Sequence, residues 1–182
     1  MLEAAAALIA SRGSDALRMS EVAQRAGVSI GSLYQYFPDK GAIIRMLAER
    51  YNEEGRACVR NELAAAVDDE SLKAAMLRVL DGYYAMFLAE PVMRDIWSGA
   101  QTDKALQEMD AQDARVHAEM LAAVLGRLRP QLDHALVFNH AFLIMQLVCA
   151  TVRMAILLDR RQGDAIVAGF RGILLREVFP VD

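Results

Sequence analysis

A short segment between Ser29 and Lys40 concentrates side chains whose chemistry suits contacts with DNA. The amide of Gln35 can donate and accept hydrogen bonds together, which matches the edge of adenine in the major groove, whereas Ile30 offers only apolar contact, for instance to a thymine methyl. The phenol of Tyr34 and the ammonium of Lys40 suit hydrogen bonds to backbone phosphates. These residue types predict a DNA-contacting surface on the exposed side of a helix.

The residues just before this segment predict the elements that would position it. A short helix over about 19–26 carries the small residue Ala23, which lets a second helix cross closely. A sharp turn needs a residue that tolerates left-handed geometry, and Gly27 does. Ser29 is a suitable N-cap for a following helix over residues 30–36. The pattern therefore predicts a helix-turn-helix whose second helix is exposed on one side.

The rest of the chain also has helical patterning, because strand-like alternation is not sustained and only four prolines interrupt it. Further helices are predicted over about 1–11, 70–89, 91–98, 101–128, 131–160 and 164–178. Another helix begins after an N-cap at Asp39, and Asp69 or Ser71 caps the helix near residue 70. Gln162-Gly163-Asp164 is expected to separate the last two helices. We therefore predict an all-α fold. A three-helix DNA-binding head covers residues 1–46, and a larger helical bundle for ligand binding and dimerisation covers residues 47–182.

Charge and cysteine content limit the class of protein. The chain has 182 residues and a net charge of −4, and for the chain as a whole this charge argues against a nucleic-acid binder. The charge is unevenly distributed, however, because residues 1–50 carry six basic and five acidic groups. The remaining 14 basic and 19 acidic groups make the body of the protein acidic. Two cysteines cannot build a zinc ribbon or a disulfide scaffold, and no secretion signal opens the chain. We expect a reduced, cytoplasmic protein.

The segment from Ala26 to Lys40 has the pattern Ala-Gly-Val-Ser-x-Gly-x-Leu-Tyr-x-Tyr-Phe-x-x-Lys and follows Glu21-Val22-Ala23. This motif resembles the tetracycline-repressor (TetR) family of bacterial regulators. The likeness covers about residues 2–47. The resemblance implies a homodimer with two recognition helices in successive major grooves of a palindromic double-stranded operator, and a C-terminal domain that binds a small inducer. It places these residues on the recognition helix: Ser29, Ile30, Gly31, Ser32, Gln35 and Tyr36. Tyr34 and Lys40 fall at positions that usually hold phosphates.

Three features depart from the family pattern. Arg18 stands where a Thr or Ser cap is usual; it cannot cap a helix, yet it could reach a phosphate. Ser20 stands where the family often has an arginine, which removes one guanine contact. Relatives commonly carry a basic arm before the first helix, and we expect that arm to be absent or to precede Met1. With few cations, operator binding should depend weakly on salt.

Large apolar side chains of the body recur at helical spacing and could line an effector pocket rather than a plain core. The candidates for one wall are Met76, Leu80, Tyr83, Tyr84, Phe87, Met93 and Trp97, and those for the opposite wall include His117, Met120, Phe142, Met145 and Cys149. Such a lining, rich in methionine and aromatic residues, suits an adaptable apolar pocket. We expect a small lipophilic effector.

The last two helices carry apolar residues that predict a dimer face, with intrachain core as the alternative. The candidates are Met154, Leu158, Ile166, Gly169, Phe170, Ile173 and Leu174, with Phe179 beyond them. The same region raises the question of a membrane span, but polar residues such as Asn139 and Arg153 interrupt it, so we expect no membrane association.

Two other functions remain open alternatives. One is a dimeric DNA-binding protein without any effector, and the other is a small helical-bundle enzyme. An enzyme would require a nucleophile–base pair, a metal cluster or a phosphate loop, and none is evident in the sequence. The three histidines, His117, His134 and His140, lack metal-ligand spacing. We therefore expect a regulator with no catalytic residues, metal or cofactor.

Overall fold

The computed structural model describes residues 1–99 and 103–178, and this part of the chain is built from helices without a strand. The helices are α1 (Leu2–Arg12), α2 (Met19–Ala26), α3 (Ile30–Tyr36), α4 (Lys40–Ala64), α5 (Asp69–Ala89), α6 (Pro91–Gly99), α7 (Lys104–Leu128), α8 (His134–Ile156) and α9 (Arg160–Ile173), which continues as a π-helical turn over Leu174–Val178. The predicted all-α fold, with a three-helix head and a larger helical body, is confirmed. The predicted start of a helix at residue 101 and the predicted contact of Phe179 lie outside the described residues.

The chain forms two compact units. Unit 1 comprises Met1–Glu53 and Glu90–Asp110, and unit 2 comprises Glu54–Ala89 and Ala111–Asp182. The divisions fall inside α4 and α7, so α6 and the first turns of α7 belong to the same unit as the three N-terminal helices. The functional boundary predicted between residues 46 and 47 stays a prediction.

Unit 1 is held together by a small apolar core. The helices α1, α2 and α3 pack in sequence, and α6 packs on α1. Ile9, Val22 and Leu33 are fully or almost fully buried, which the helical spacing of apolar residues in each short element explains. Asp95 of α6 adds a polar link, since its Oδ2 accepts a hydrogen bond from the backbone N–H of Ser14 at 2.9 Å.

Unit 2 has its core where α8 packs on α5 and α9, and α9 also packs on α5. By length and composition alone α8 is apolar enough to cross a membrane. That is weak evidence, because the core helix of a soluble protein has the same character. Here one side of α8 supplies nine buried residues, among them Val148 and Val152.

Two local predictions are wrong. Residues 162–164 do not break a helix: α9 begins at Arg160, with Asp159 as its N-cap, and Gly163 is buried within its first turn. A Cβ on Gly163 would lie 2.5 Å from the carbonyl oxygen of Ala155, so the glycine permits close packing on α8. The cap of α5 is also not the predicted one, since Asp68 accepts the backbone N–H of Ser71 at 2.8 Å.

Candidate functional site

The second helix of the helix-turn-helix is fixed by its turn and its cap. Gly27 adopts the left-handed conformation with φ of 67°, and a Cβ there would meet nothing within 4 Å. The requirement for glycine is therefore conformational rather than steric. Ser29 caps α3 as predicted, because its Oγ accepts the backbone N–H of Ser32 at 3.0 Å, and the Oγ atoms of the two serines lie 2.8 Å apart.

The outer face of α3 carries the residues expected to read DNA. Leu33 is fully buried and anchors the helix, whereas Tyr36, Tyr34 and Ile30 are 71%, 50% and 43% exposed. The structure also leaves Ser29, Gly31 and Gln35 exposed, and Ser32 half-buried. Because the exposed residues include an amide, two phenols and an aliphatic side chain, this face can combine polar and apolar contacts with base edges. Their contacts with DNA stay a prediction.

The cations around α3 are few. Lys40 is exposed and donates a hydrogen bond from Nζ to the backbone oxygen of Asp15 at 3.0 Å, which leaves two of its three N–H donors for a phosphate. Arg18 precedes α2 with an extended backbone and no side-chain cap, in agreement with the prediction that it cannot cap. Its guanidinium and the hydroxyl of Ser20 are on exposed residues.

The predicted effector residues do not all lie in one place. Met93 and Trp97 are buried in unit 1, and the other ten lie in unit 2. Four of those ten, namely Tyr83, His117, Met145 and Cys149, border one small cavity together with Gly55, Cys58, Val59, Val79 and Val148. The cavity has a volume of about 10 Å³, which is roughly the space for one water molecule.

The remaining predicted effector residues have other surroundings. Met76, Leu80 and Phe87 are fully buried. Tyr84 faces a separate groove of about 330 Å³ between α5 and α9. Burial raises the pKa of Tyr84, as does its hydrogen bond to Asp164. Met120 and Phe142 are half-buried.

Sequence reasoning missed five of the residues that border the cavity. Gly55, Cys58 and Val59 are spaced by three and four residues on α4, and so occupy one side of that helix. The spacing was therefore a usable signal, although it does not distinguish a cavity from a core. Burial raises the pKa of the Cys58 thiol, and the negative charge of Glu62 adds to that effect.

A buried charged cluster lies beside this cavity. Nη1 of Arg56 is 2.7 Å from Oδ1 of Asp113, and Nδ1 of His117 is 3.6 Å from Oδ2 of the same carboxylate. All three side chains are at least 85% buried. A buried carboxylate is tolerated only when it is paired, and here it touches both a guanidinium and an imidazole. Sequence analysis had not singled out Arg56 or Asp113.

The predicted dimer residues divide into exposed and buried sets. Met154, Leu158, Gly169 and Ile173 are exposed, Ile166 is half-buried, and Phe170 and Leu174 are buried within the chain. The structure also exposes other large apolar side chains of α8 and its ends: Leu132, Leu136, Leu143, Leu147 and Leu157. Exposed apolar side chains grouped in this way are typical of interaction surfaces.

The described residues contain no group of three or more His, Cys, Asp or Glu side chains placed to bind a metal ion.

Comparisons with known proteins place the chain among bacterial regulators. Residues 1–47 match the family model described as bacterial regulatory proteins, tetR family, and residues 70–181 match the one described as tetracyclin repressor-like, C-terminal domain. Among curated proteins no sequence match was found.

Solved structures share the fold over nearly the whole chain. A TetR-family transcriptional regulator from Streptomyces coelicolor is 28% identical, with 96% of this chain and 92% of that one covered and a TM-score of 0.71. A TetR-family regulator from Pectobacterium atrosepticum is 19% identical, with 100% and 92% covered and a TM-score of 0.74. The regulator FadR from Bacillus subtilis, in complex with stearoyl-CoA, is 18% identical, with 100% and 97% covered and a TM-score of 0.72. The last two likenesses show the fold alone.

Proposed function

Because the chain belongs to the TetR family of transcriptional regulators, as its match over residues 70–181 shows, we propose that it is a homodimeric repressor that binds a palindromic operator and is released by a small lipophilic ligand. The observation that carries the DNA-binding part is the outer face of α3. There Tyr34, Gln35 and Tyr36 are exposed on a capped helix whose entry is fixed by the left-handed Gly27. We further propose that the protein acts in the cytoplasm.

The side chains of α3 have different roles in this proposal. Gln35 reads a base, since an amide can pair in a bidentate way with adenine, whereas Tyr34 and Lys40 hold phosphates and set the register. Selection of bound fragments from random DNA would define the operator. On that operator Gln35→Ala should relax the preference at one base pair, whereas Tyr34→Ala should weaken binding to all sequences about equally. Unchanged binding by both variants would contradict the assignment.

The exposed apolar row of α8 supports the proposal that the protein dimerises. Leu143 and Leu147 lie four residues apart on one side of the helix, and both are exposed. A second copy of the chain that covers this row would remove it from water and would bring two recognition helices together. Two heads must then be separated by about 34 Å, one helical repeat, to occupy successive major grooves.

The effector part is supported by the cavity of unit 2. Its wall is mostly apolar, and Met145 contributes a flexible side chain that can make room for a ligand. A solved protein of the same fold, FadR from Bacillus subtilis, holds stearoyl-CoA. In our proposal the ligand favours one of two arrangements of the dimer, and α4 transmits the difference because it belongs to both units.

The small volume of the cavity favours one second candidate, a dimeric DNA-binding protein without an effector. A space of about 10 Å³ is far below the roughly 300 Å³ of a typical ligand site. The two candidates differ in one measurement. If a broad library of apolar compounds changes neither the melting temperature nor the operator affinity, the effector is excluded and the second candidate stands.

A further inference from the structure

We propose that the groove between α5 and α9 is a ligand site of its own and that it binds a linear dicarboxylate, an aliphatic chain with a carboxylate at each end. The groove lies within unit 2 and has a volume of about 330 Å³, which reaches the roughly 300 Å³ of a typical ligand site. It is separate from the cavity of about 10 Å³ that Met145 borders. The inference therefore goes beyond the proposed effector and does not depend on it.

The floor of the groove is aliphatic. Ala85 and Leu88 contribute to it from α5, and Val167 and Ala168 contribute from α9. Val167 is buried, whereas Ala168 is exposed, so the groove opens to solvent. A chain of methylene groups lying on this floor would be removed from water together with it, which is favourable. Because the floor alone would accept any aliphatic chain, the specificity must come from its ends.

Each end of the groove has one arginine. The α9 residues that line it begin with Arg160 and end with Arg171, which are eleven positions apart, or about 16 Å along the helix axis. Nη2 of Arg171 donates to Oδ1 of Asp81. Nε of Arg160 donates to both carboxylate oxygens of Asp164, at 2.8 and 3.0 Å. The groove is therefore an aliphatic surface between two guanidinium groups.

The two guanidinium groups keep most of their hydrogen-bond donors. A guanidinium has five N–H donors, and among the described residues Arg160 and Arg171 each use one of them. Asp164, by contrast, accepts from Arg160 on both oxygens and also from the phenol of Tyr84 at 3.1 Å. The groove therefore suits a ligand that brings acceptors, and a carboxylate matches the planar guanidinium in a bidentate way.

The charge balance explains why an anion can enter a groove that already contains two carboxylates. Arg171 pairs with Asp81, and Arg160 pairs with Asp164, so the four charges sum to zero. The side chains of Asp81 and Arg171 are 48% and 40% exposed, and ion pairs with such exposure contribute little stability. A ligand carboxylate can therefore displace Asp81 from Arg171 at low cost. A dication would find both oxygens of Asp164 already engaged.

The groove and the proposed dimer face lie on different sides of α9. The exposed dimer candidates of this helix are Gly169 and Ile173. They lie at least about 100° around the helix from the groove residues Asp164, Ala168 and Arg171. A second copy that covers the dimer face would therefore leave the groove accessible to a ligand.

The test compares ligands that share one chain length and differ at their ends. The dissociation constants of octanedioate, octanoate and 1,8-diaminooctane are measured on the full chain by isothermal titration calorimetry at neutral pH. We expect octanedioate to bind at least about tenfold more tightly than octanoate, because it engages a second guanidinium, and the diamine to bind most weakly. The proposal is wrong if octanoate or the diamine binds as tightly as octanedioate, or if octanedioate does not bind.

Variants of the two arginines test the ends of the groove, with a neighbouring arginine as the matched control. Arg160→Gln and Arg171→Gln should each weaken binding of octanedioate by about 10-fold to 100-fold. Arg161→Gln removes the same charge from an exposed residue that does not line the groove, so it should change the affinity by less than about threefold. Equal effects of the three variants would show attraction by bulk charge and would overturn the proposal.

Two more variants keep the test decisive if an arginine variant does not fold. Asp81→Asn removes the carboxylate that competes for Arg171 and should tighten binding of octanedioate by about threefold to tenfold, a gain that unfolding cannot produce. Ala168→Phe places a ring on the exposed part of the floor and should abolish binding, while circular dichroism checks that the fold is kept. Unchanged or weaker binding by Asp81→Asn, or wild-type affinity in Ala168→Phe, would overturn the proposal.

Discussion

The number of cations that the head can offer to phosphates sets how steeply operator binding should depend on salt. Residues 1–50 contain six basic residues. Three of them face carboxylates, in the pairs Arg12–Glu21, Arg45–Asp39 and Arg50–Glu3. In the described part of the chain the other three, Arg18, Arg25 and Lys40, have no ion-pair partner. We therefore expect about three cations per head to neutralise phosphates.

The expected slope follows from counterion release. Each neutralised phosphate of duplex DNA contributes about −0.9 to the slope of log K against log salt concentration. A dimer with two heads and about six such contacts should show a slope of roughly −5. If the three ion-paired arginines of each head also turned to the DNA, the slope would approach roughly −11. The two cases are far enough apart to be separated by experiment.

Fluorescence anisotropy of the selected operator, at salt concentrations between about 50 and 200 mM, measures this slope. Lys40→Gln removes one cation from each head and should flatten it by about 2. Arg12→Gln is the matched control: its guanidinium is held by Glu21 at 2.8 Å, so its loss should leave the slope unchanged. A wild-type slope steeper than about −8 would refute the reasoning.

Three further predictions concern the body of the protein. Gly163→Ala should lower the free energy of unfolding by about 1–3 kcal/mol through overpacking. Gly126→Ala should raise the free energy of unfolding by about 0.5–1 kcal/mol, because a Cβ at Gly126 would meet no atom within 4 Å. Thermal unfolding measures both variants, and equal effects would contradict the packing argument. Leu143→Glu should convert the proposed dimer into a monomer in sedimentation velocity, and a dimer that the variant leaves unchanged would exclude this row as the interface. Hydrogen bonds from Ser71 hold the pKa of Asp68 below its usual value in the folded protein. The stability that these hydrogen bonds contribute is therefore fully present at pH values above the pKa of Asp68 in the unfolded chain. It is lost as the pH falls through the lower pKa of Asp68 in the folded protein. Asp68→Asn should remove that part of the acid sensitivity, and an unaltered pH profile of stability would count against it.

The head was predictable because its determinants are local. Gly27 sets the turn, Ser29 caps α3, and Asp39 caps α4 through a 2.7 Å hydrogen bond from the backbone N–H of Ala42. Each of these residues acts on a neighbour within a few positions, so residue type and spacing are sufficient. The same holds for the expectation that Arg18 cannot cap α2.

The body was less predictable because its determinants join distant residues. Gly163 resembles a helix break in the sequence, yet it is a packing glycine whose space is set by Ala155 and by Tyr84, about eighty positions away. Arg56 and Asp113 are separated by 57 positions, and nothing in the spacing of either one indicates the other. Local patterns cannot report such contacts, which exist only after the helices have packed.

The apolar faces of α8 and α9 show the limit of periodicity in a chain that is 55% hydrophobic. Such a chain has enough apolar residues for a core, a cavity wall and an exposed row, and all three recur at the same three- and four-residue spacing. Phe170 and Leu174 were predicted to face a partner and are buried in the chain, whereas Leu143 and Leu147 are exposed. The side of α8 that is buried is the side on which α5 and α9 pack. What they leave open is the surface that a second copy has to bury if the two heads are to act together.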